Sequence, residues 1–189
     1  GTDGVPEAIG PVGDNDDFTN KSTPTPAAGT DPEAPFDPAP VIFNNSLSNP
    51  AGAGFIAETT IEPISPSDAE ANGGTPGAYG SDPLVSDDEE IPDTTEVTIT
   101  AGGQSATYSY TSANGFVINV GDTPVNVGDV TAGSQVDYTV TVDLPNGTAQ
   151  LEDVSIPIIA FPDDDPTASP GYTGETTNNI TIDRLYTGF

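Results

Sequence analysis

The sequence predicts an all-β protein, an antiparallel sandwich preceded by an irregular extended N-terminal arm. Three observations predict it. Val136, Tyr138, Val140, Val142 and Leu144 alternate without a break against Gln135, Asp137, Thr139, Thr141 and Asp143, the period of a strand with one buried face. Further short alternating stretches follow one another, separated by Gly, Pro, Asn and Asp turns. No segment has the spacing of an amphipathic helix.

The stretch 1–40 is rich in Gly, Pro, Asp, Thr and Ala, with Val5, Ile9, Val12, Phe18 and Phe36 as its few apolar anchors. The prolines at Pro24, Pro26, Pro35, Pro38 and Pro40 exclude helix and favour extended backbone. The plainer reading is a disordered linker; the sharper one is an arm that orders against a neighbour. A sandwich domain over 41–189 is then expected. Its first strand is Val41 to Leu47, ending at a Ser48-Asn49-Pro50 turn, and Gly54 to Ile61 is the second. The Pro- and Asp-rich span 63–92 is long for a structureless insert and points to an exposed functional loop or a boundary.

From Thr94 the pattern is cleaner. Val97 and Ile99 form a strand that turns through Gly102-Gly103 into Ala106, Tyr108 and Tyr110, with Gly where positive φ is needed. Phe116, Ile118 and Val120 form the next strand, followed by Val125 and Val127. The Ser134–Leu144 stretch is expected as the central strand. Val154 to Phe161 follows, then an acidic loop, and Ile180, Ile182 and Leu185 close the sandwich. Short strands at this spacing suggest an immunoglobulin-like Greek key.

Composition excludes several function classes. The chain carries 2 Lys+Arg against 30 Asp+Glu, a formal net charge of −28. Nucleic acid is excluded as a partner, since phosphate recognition needs Lys and Arg to displace counterions. Anionic membrane surfaces are disfavoured for the same reason, and no apolar run approaches the roughly 20 residues of a membrane helix. Cys, His, Met and Trp are absent. Serine- or cysteine-type nucleophilic catalysis therefore lacks its usual base or its thiol, and thiolate and imidazole metal sites are missing. Paired carboxylates of the glycosidase kind remain, but with so many acids pairs arise by chance, and the expectation is no enzyme. No charged-then-apolar leader opens the sequence, and Gly1 reads as the start of a processed product.

Calcium is the cation that hard oxygen ligands would take, and three acidic loops concentrate them: Asp14 to Asp17, Asp87 to Glu90, and Asp163, Asp164 and Asp165. None completes the EF-hand pattern. The plainer reading of each is a solvated acidic surface; Asp163–Asp165 is the first candidate because it follows a strand and lies in a Pro-bounded turn. Asn-x-Ser/Thr sequons occur at Asn20, Asn44, Asn146 and Asn179, near the chance level for an Asn- and Thr-rich chain. An isopeptide bond is rejected, since Lys21 is the only lysine and sits in the arm.

The segments Asn179 to Phe189 (NITIDRLYTGF), Val127 to Gly147 and Val41 to Ala51 together resemble the conserved-repeat "domain of unknown function 11" surface proteins in their cyanobacterial form. The likeness runs over about Val41 to Phe189 and is most specific at its end. It implies a secreted immunoglobulin-like module of a cell-surface assembly without enzymatic activity, and it supplies no catalytic residues. A single unit with a long arm departs from the usual member.

The function expected is a structural subunit of an extracellular filament, sheath or surface fibre, with other copies of itself as partner. The arm or the apolar terminus would complete a neighbour's sheet. Val5, Ile9, Val12, Phe18, Phe36, Ile180, Ile182, Leu185, Tyr186 and Phe189 are the candidate subunit contacts. The alternative is a monomeric adhesion or glycan-binding module using the 63–92 loop, with Tyr79 among its contacts.

Overall fold

The computed structural model describes residues 34–54, 56–72, 91–148, 153–163, 167–175 and 178–186, and residues 16–22 through their backbone. The described residues form an all-β fold of two sheets with one short helix. The strands are β1 (Asp16–Ser22), β2 (Val41–Ser48), β3 (Ile56–Pro63), β4 (Glu96–Ala101), β5 (Gln104–Thr111), β6 (Gly115–Ile118), β7 (Val125–Val130), β8 (Gln135–Asp143), β9 (Asp153–Pro162) and β10 (Asn179–Tyr186); helix α1 spans Pro66–Ala71. The first sheet has the order β1-β10-β9-β3-β7 and the second β2-β8-β4-β5-β6.

The period-two pattern sets the register of the second sheet. Val41 pairs with Val142, Val142 with Val97, and Val97 with Tyr108; Phe43, Val140, Ile99 and Ala106 form the next row. Side chains in one row stand on one face, so each row presents a band of apolar groups to the first sheet. Ile61, Val125, Val130, Val154, Ile156, Ile158 and Leu185 meet them in a shared core. A polar tie crosses the same gap, where Asn45 Nδ2 donates to Asp183 Oδ1 and Oδ2 at 3.2 and 3.0 Å.

The first sheet is also covered on its other face. Ile64, Ala69, Ile159, Phe161, Tyr172, Ile180 and Ile182 form a second apolar cluster, under α1 and the loop 167–175. Helix α1 begins where capping chemistry puts it. Ser65 Oγ accepts from the Asp68 amide at 3.2 Å and Pro66 occupies the first helical position. Ile64 before the cap and Ala69 after it are both buried, a hydrophobic staple.

Several expectations need correction. The 1–40 arm is not irregular throughout: β1 lies in it and pairs parallel with β10, Asp16 opposite Ile180 and Ser22 opposite Tyr186. Phe36 bridges to Thr148. The 63–92 segment contains α1. Ser134–Leu144 is interior but not central, since β4 holds the middle of its sheet. Val120 does not extend β6; it is fully exposed, because Asn119 donates to Thr107 O at 2.8 Å and Asp122 to Asn119 O at 3.1 Å, which turns the chain away.

One buried asparagine joins the corners of both sheets. Asn49 Nδ2 donates to Gly54 O at 2.6 Å and Val130 O at 2.8 Å, while its backbone bonds Ser134 and Gly133. Asn49→Ala strands the Val130 carbonyl, which burial keeps from water, and removes the bond to Gly54 O on the exposed side. It should lower stability by about 2 kcal/mol, read as a lower urea midpoint at unchanged slope.

Candidate functional site

A cavity of about 430 Å³ opens at the end of β3, lined by residues of both sheets. Its position follows from strand lengths. The last pair between β3 and β7 is Ile61 with Val125, so Glu62 and Pro63 run on without that neighbour. Tyr108 of β5, Phe116 to Ile118 of β6, Pro124, and the loop from Ala168 to Tyr172 line the space left beside them, together with Asp163.

Glu62 is only 4% exposed. Burial, then the neighbouring Asp163 charge, raise its pKa from 4.5 to about 7, against the lowering effect of a hydrogen bond from the Gly171 backbone. Gly171 is fixed by contact as well as by that bond. A Cβ there would lie 2.9 Å from Glu62 Oε1, closer than real side chains approach, and 3.2 Å from Phe161 Cζ, a tight contact. The adjacent Tyr172 donates its hydroxyl to Asp68 Oδ2 at 2.9 Å and sets its ring edge-on to Phe161, 6.5 Å between centroids. Helix α1 thereby holds the loop down over Glu62. Burial first, and then the Asp68 hydrogen bond and charge, push the Tyr172 phenol up.

Two polar atoms at this end have no hydrogen-bond partner among the described residues: the Tyr108 hydroxyl and Asp163 Oδ1, both buried. Tyr108 is 4% exposed, and burial, then the charges of Glu62 and Asp122, push its phenol up. Asp163 is anchored through its amide, which donates to Glu58 O at 3.1 Å. Its Oδ2 accepts a long bond from Thr60 Oγ1 at 3.4 Å. The arrangement is a carboxyl poised near neutrality, a second carboxylate and a phenol, facing a mostly apolar space.

Of the described sequence-predicted residues, Asp163 alone lines this cavity. Asp164, Asp165, Val5, Ile9, Val12 and Phe189 lie outside the described residues, and among the described residues no group of three or more acidic side chains could hold a metal ion. Ile180, Ile182 and Leu185 are 0% exposed, the first two in the outer cluster and Leu185 in the shared core; their apolar surface is covered within the chain. Phe36 is half-buried and exchanges backbone bonds with Thr148 and Gly147. Phe18 lies opposite Ile182 in the parallel register, and Tyr186 ends β10 opposite Ser22.

Sequence reasoning missed Glu62, Tyr108, Gly171 and Tyr172. A signal existed for Glu62, one acid between Ile61 and the Pro63-Ile64 pair of a run buried on both faces. Nothing local marks Tyr108 or Gly171, which reach Glu62 only through the fold.

A raised carboxyl pKa has a definite sign for stability. Between pH 4.5 and about 7 the folded Glu62 binds more protons than the unfolded one, so its contribution to stability falls as pH rises across that window. The penalty above it amounts to roughly 3 kcal/mol. Glu62→Gln removes the charge at nearly constant shape. It should raise the urea midpoint of the protein at pH 8 and leave it nearly unchanged at pH 4.5; an equal effect at both pH values would contradict this reading. Gly171→Ala should destabilise by about 1–3 kcal/mol at any pH, since its Cβ overpacks Glu62 and Phe161.

Among the described residues no helix is long and apolar enough to cross a membrane. No protein-family model matches this chain, and no curated protein matches it.

Proposed function

We propose that this chain is a non-enzymatic structural subunit of an extracellular filament, sheath or surface fibre, built by passing strand β1 between copies. The observation that carries this is the place of β1. Among the described residues it is the first strand, yet it forms the outer edge of its sheet by pairing with β10, the last. Its connection to the body crosses to β2 in the other sheet. Main-chain hydrogen bonds are indifferent to which copy supplies them. A β1 from a second molecule can therefore meet the β10 edge in the same parallel register. Strand donation from head to tail does not close on itself, so it yields an open polymer.

The −28 charge suits this setting, since it keeps unassembled subunits apart at low salt and lets cations regulate their approach. An immunoglobulin-like Greek-key arrangement and kinship with the conserved-repeat "domain of unknown function 11" surface proteins belong to the same proposal. Their support is the run of short strands that cross repeatedly between the two sheets. The alternative, a monomeric adhesion or glycan-binding module, draws its support from the cavity beside Glu62.

The absence of native Cys allows a clean test. Asp17 and Thr181 are register partners in the β1–β10 pair. Asp17→Cys and Thr181→Cys proteins, refolded together at high concentration and oxidised, should give a mixed disulfide dimer in clear excess over either self-dimer. If only chance self-dimers form, while the double variant closes its disulfide within one chain, strand exchange is overturned and the monomeric module takes its place.

A further inference from the structure

We propose that the cavity bounded by Glu62, Asp163, Tyr108 and the loop ending in Tyr172 is a binding site for a primary ammonium group carried on an apolar stem. This reading is independent of strand exchange. The cavity adjoins β3, β5 and β6, whereas β1 lies at the opposite edge of the first sheet.

Three oxygen-bearing groups line it, the Glu62 and Asp163 carboxyls and the Tyr108 hydroxyl, and the last two each have an oxygen without a hydrogen-bond partner among the described residues. Glu62 is a buried carboxyl whose neighbouring carboxylate makes its own charge costly. Asp163 Oδ1 is buried without a partner among the described residues. The Tyr108 hydroxyl is likewise buried and unpartnered, on a residue 4% exposed that lines the cavity. A buried polar group without a hydrogen bond costs about 1–3 kcal/mol, so Asp163 Oδ1 and the Tyr108 hydroxyl oxygen favour a ligand that hydrogen-bonds to both. None of the cavity-lining residues is Lys or Arg, so the lining offers the two carboxyls no cationic side chain.

The number and shape of the donors select among cations. An ammonium group brings three N–H donors, one for each acceptor. Calcium takes roughly six to eight oxygens, more than two carboxyls and a phenol provide. The remaining walls, among them Phe116, Ile118 and Pro124, have no affinity for a hydrated metal ion but bury an alkyl stem, and aromatic faces attract its charged end. A volume of about 430 Å³ falls in the range of small-ligand cavities.

Proton linkage follows from the geometry. The ammonium binds best to ionised Glu62, so uptake strengthens as pH rises through about 7. The charged and titratable groups around it are Asp163, Tyr108 and Tyr172, with Asp122 beside Tyr108 and Asp68 beside Tyr172; neither phenol ionises in this range.

The test is calorimetric titration of the full chain with n-butylammonium chloride at constant ionic strength, with n-butanol, calcium chloride and N-acetyl-lysine amide as comparison ligands. Saturable butylammonium binding is expected, about fivefold to tenfold tighter at pH 8 than at pH 6. Butanol should bind at least about tenfold more weakly, and Glu62→Gln should abolish the difference. Tyr108→Phe, which keeps the ring, should weaken binding a few-fold and guards against a folding defect in the first variant. Asp137→Asn, on the exposed surface, should change nothing. If lysine amide binds tighter than butylammonium the partner is a protein lysine; if weaker, a free amine. Non-saturating heats equal to those of sodium chloride, equal binding of butanol, or saturable calcium binding without butylammonium binding would each overturn the proposal.

Discussion

Strand β9 is buried on both faces, and the rest of the molecule is arranged to make that so. Every residue from Val154 to Phe161 is buried. Ile156, Ile158 and Ala160 point into the shared core, while Ile159 and Phe161 point the other way into the second cluster. A strand of an antiparallel sheet commonly keeps one wet face. This one cannot, so the chain supplies a second cover: α1 and the loop 167–175, pinned to each other by Tyr172 and Asp68. β10 shares the demand, because Ile180 and Ile182 sit on the same outer face. In a chain only 33% hydrophobic, this concentration of apolar side chains in two neighbouring strands makes them the rigid centre.

The cover has a chemical consequence. Drawing the loop over β9 brings Gly171 onto Glu62, and excluding water there is what lifts the carboxyl pKa toward neutrality. A structural necessity thus produces the one buried acidic cavity described above. The proposed strand exchange and the proposed ammonium binding would then use different flanks of one sheet. β1 adds to the β10 edge, and the cavity opens beside β3, two strands further across. Occupying one flank does not require the other to change.

What could be read from the sequence follows from the range of the physics involved. The alternation in β8, in β4 and in β5 is local, and it assigned both the strands and their inward faces. The largely apolar stretch Val154 to Phe161, interrupted by Ser155, marked a strand but not what covered its second side. β1 was invisible because an edge strand needs only backbone hydrogen bonds, and Asp16–Ser22 (DDFTNKS) has no alternating pattern to betray it. Helix α1 was too short to show a period, though Ser65-Pro66 carried its start signal. At the site, Asp163 stood out as part of an acidic run. Tyr108, Glu62 and Gly171 did not, because their meeting depends on where β7 stops and how the 167–175 loop folds back.

In the proposed assembly β9 and β10 would be a fixed hub against which β1 is a replaceable strand. Hydrogen–deuterium exchange of the full chain tests it most directly, because protection reports the free energy of opening each segment. Amides of β9 should exchange only through global unfolding, and those of Asp16–Ser22 through a local opening that leaves β9 and β3 protected. Protection of β1 equal to that of β9 would contradict the account, since a strand that opens only with the whole fold cannot pass from one molecule to the next.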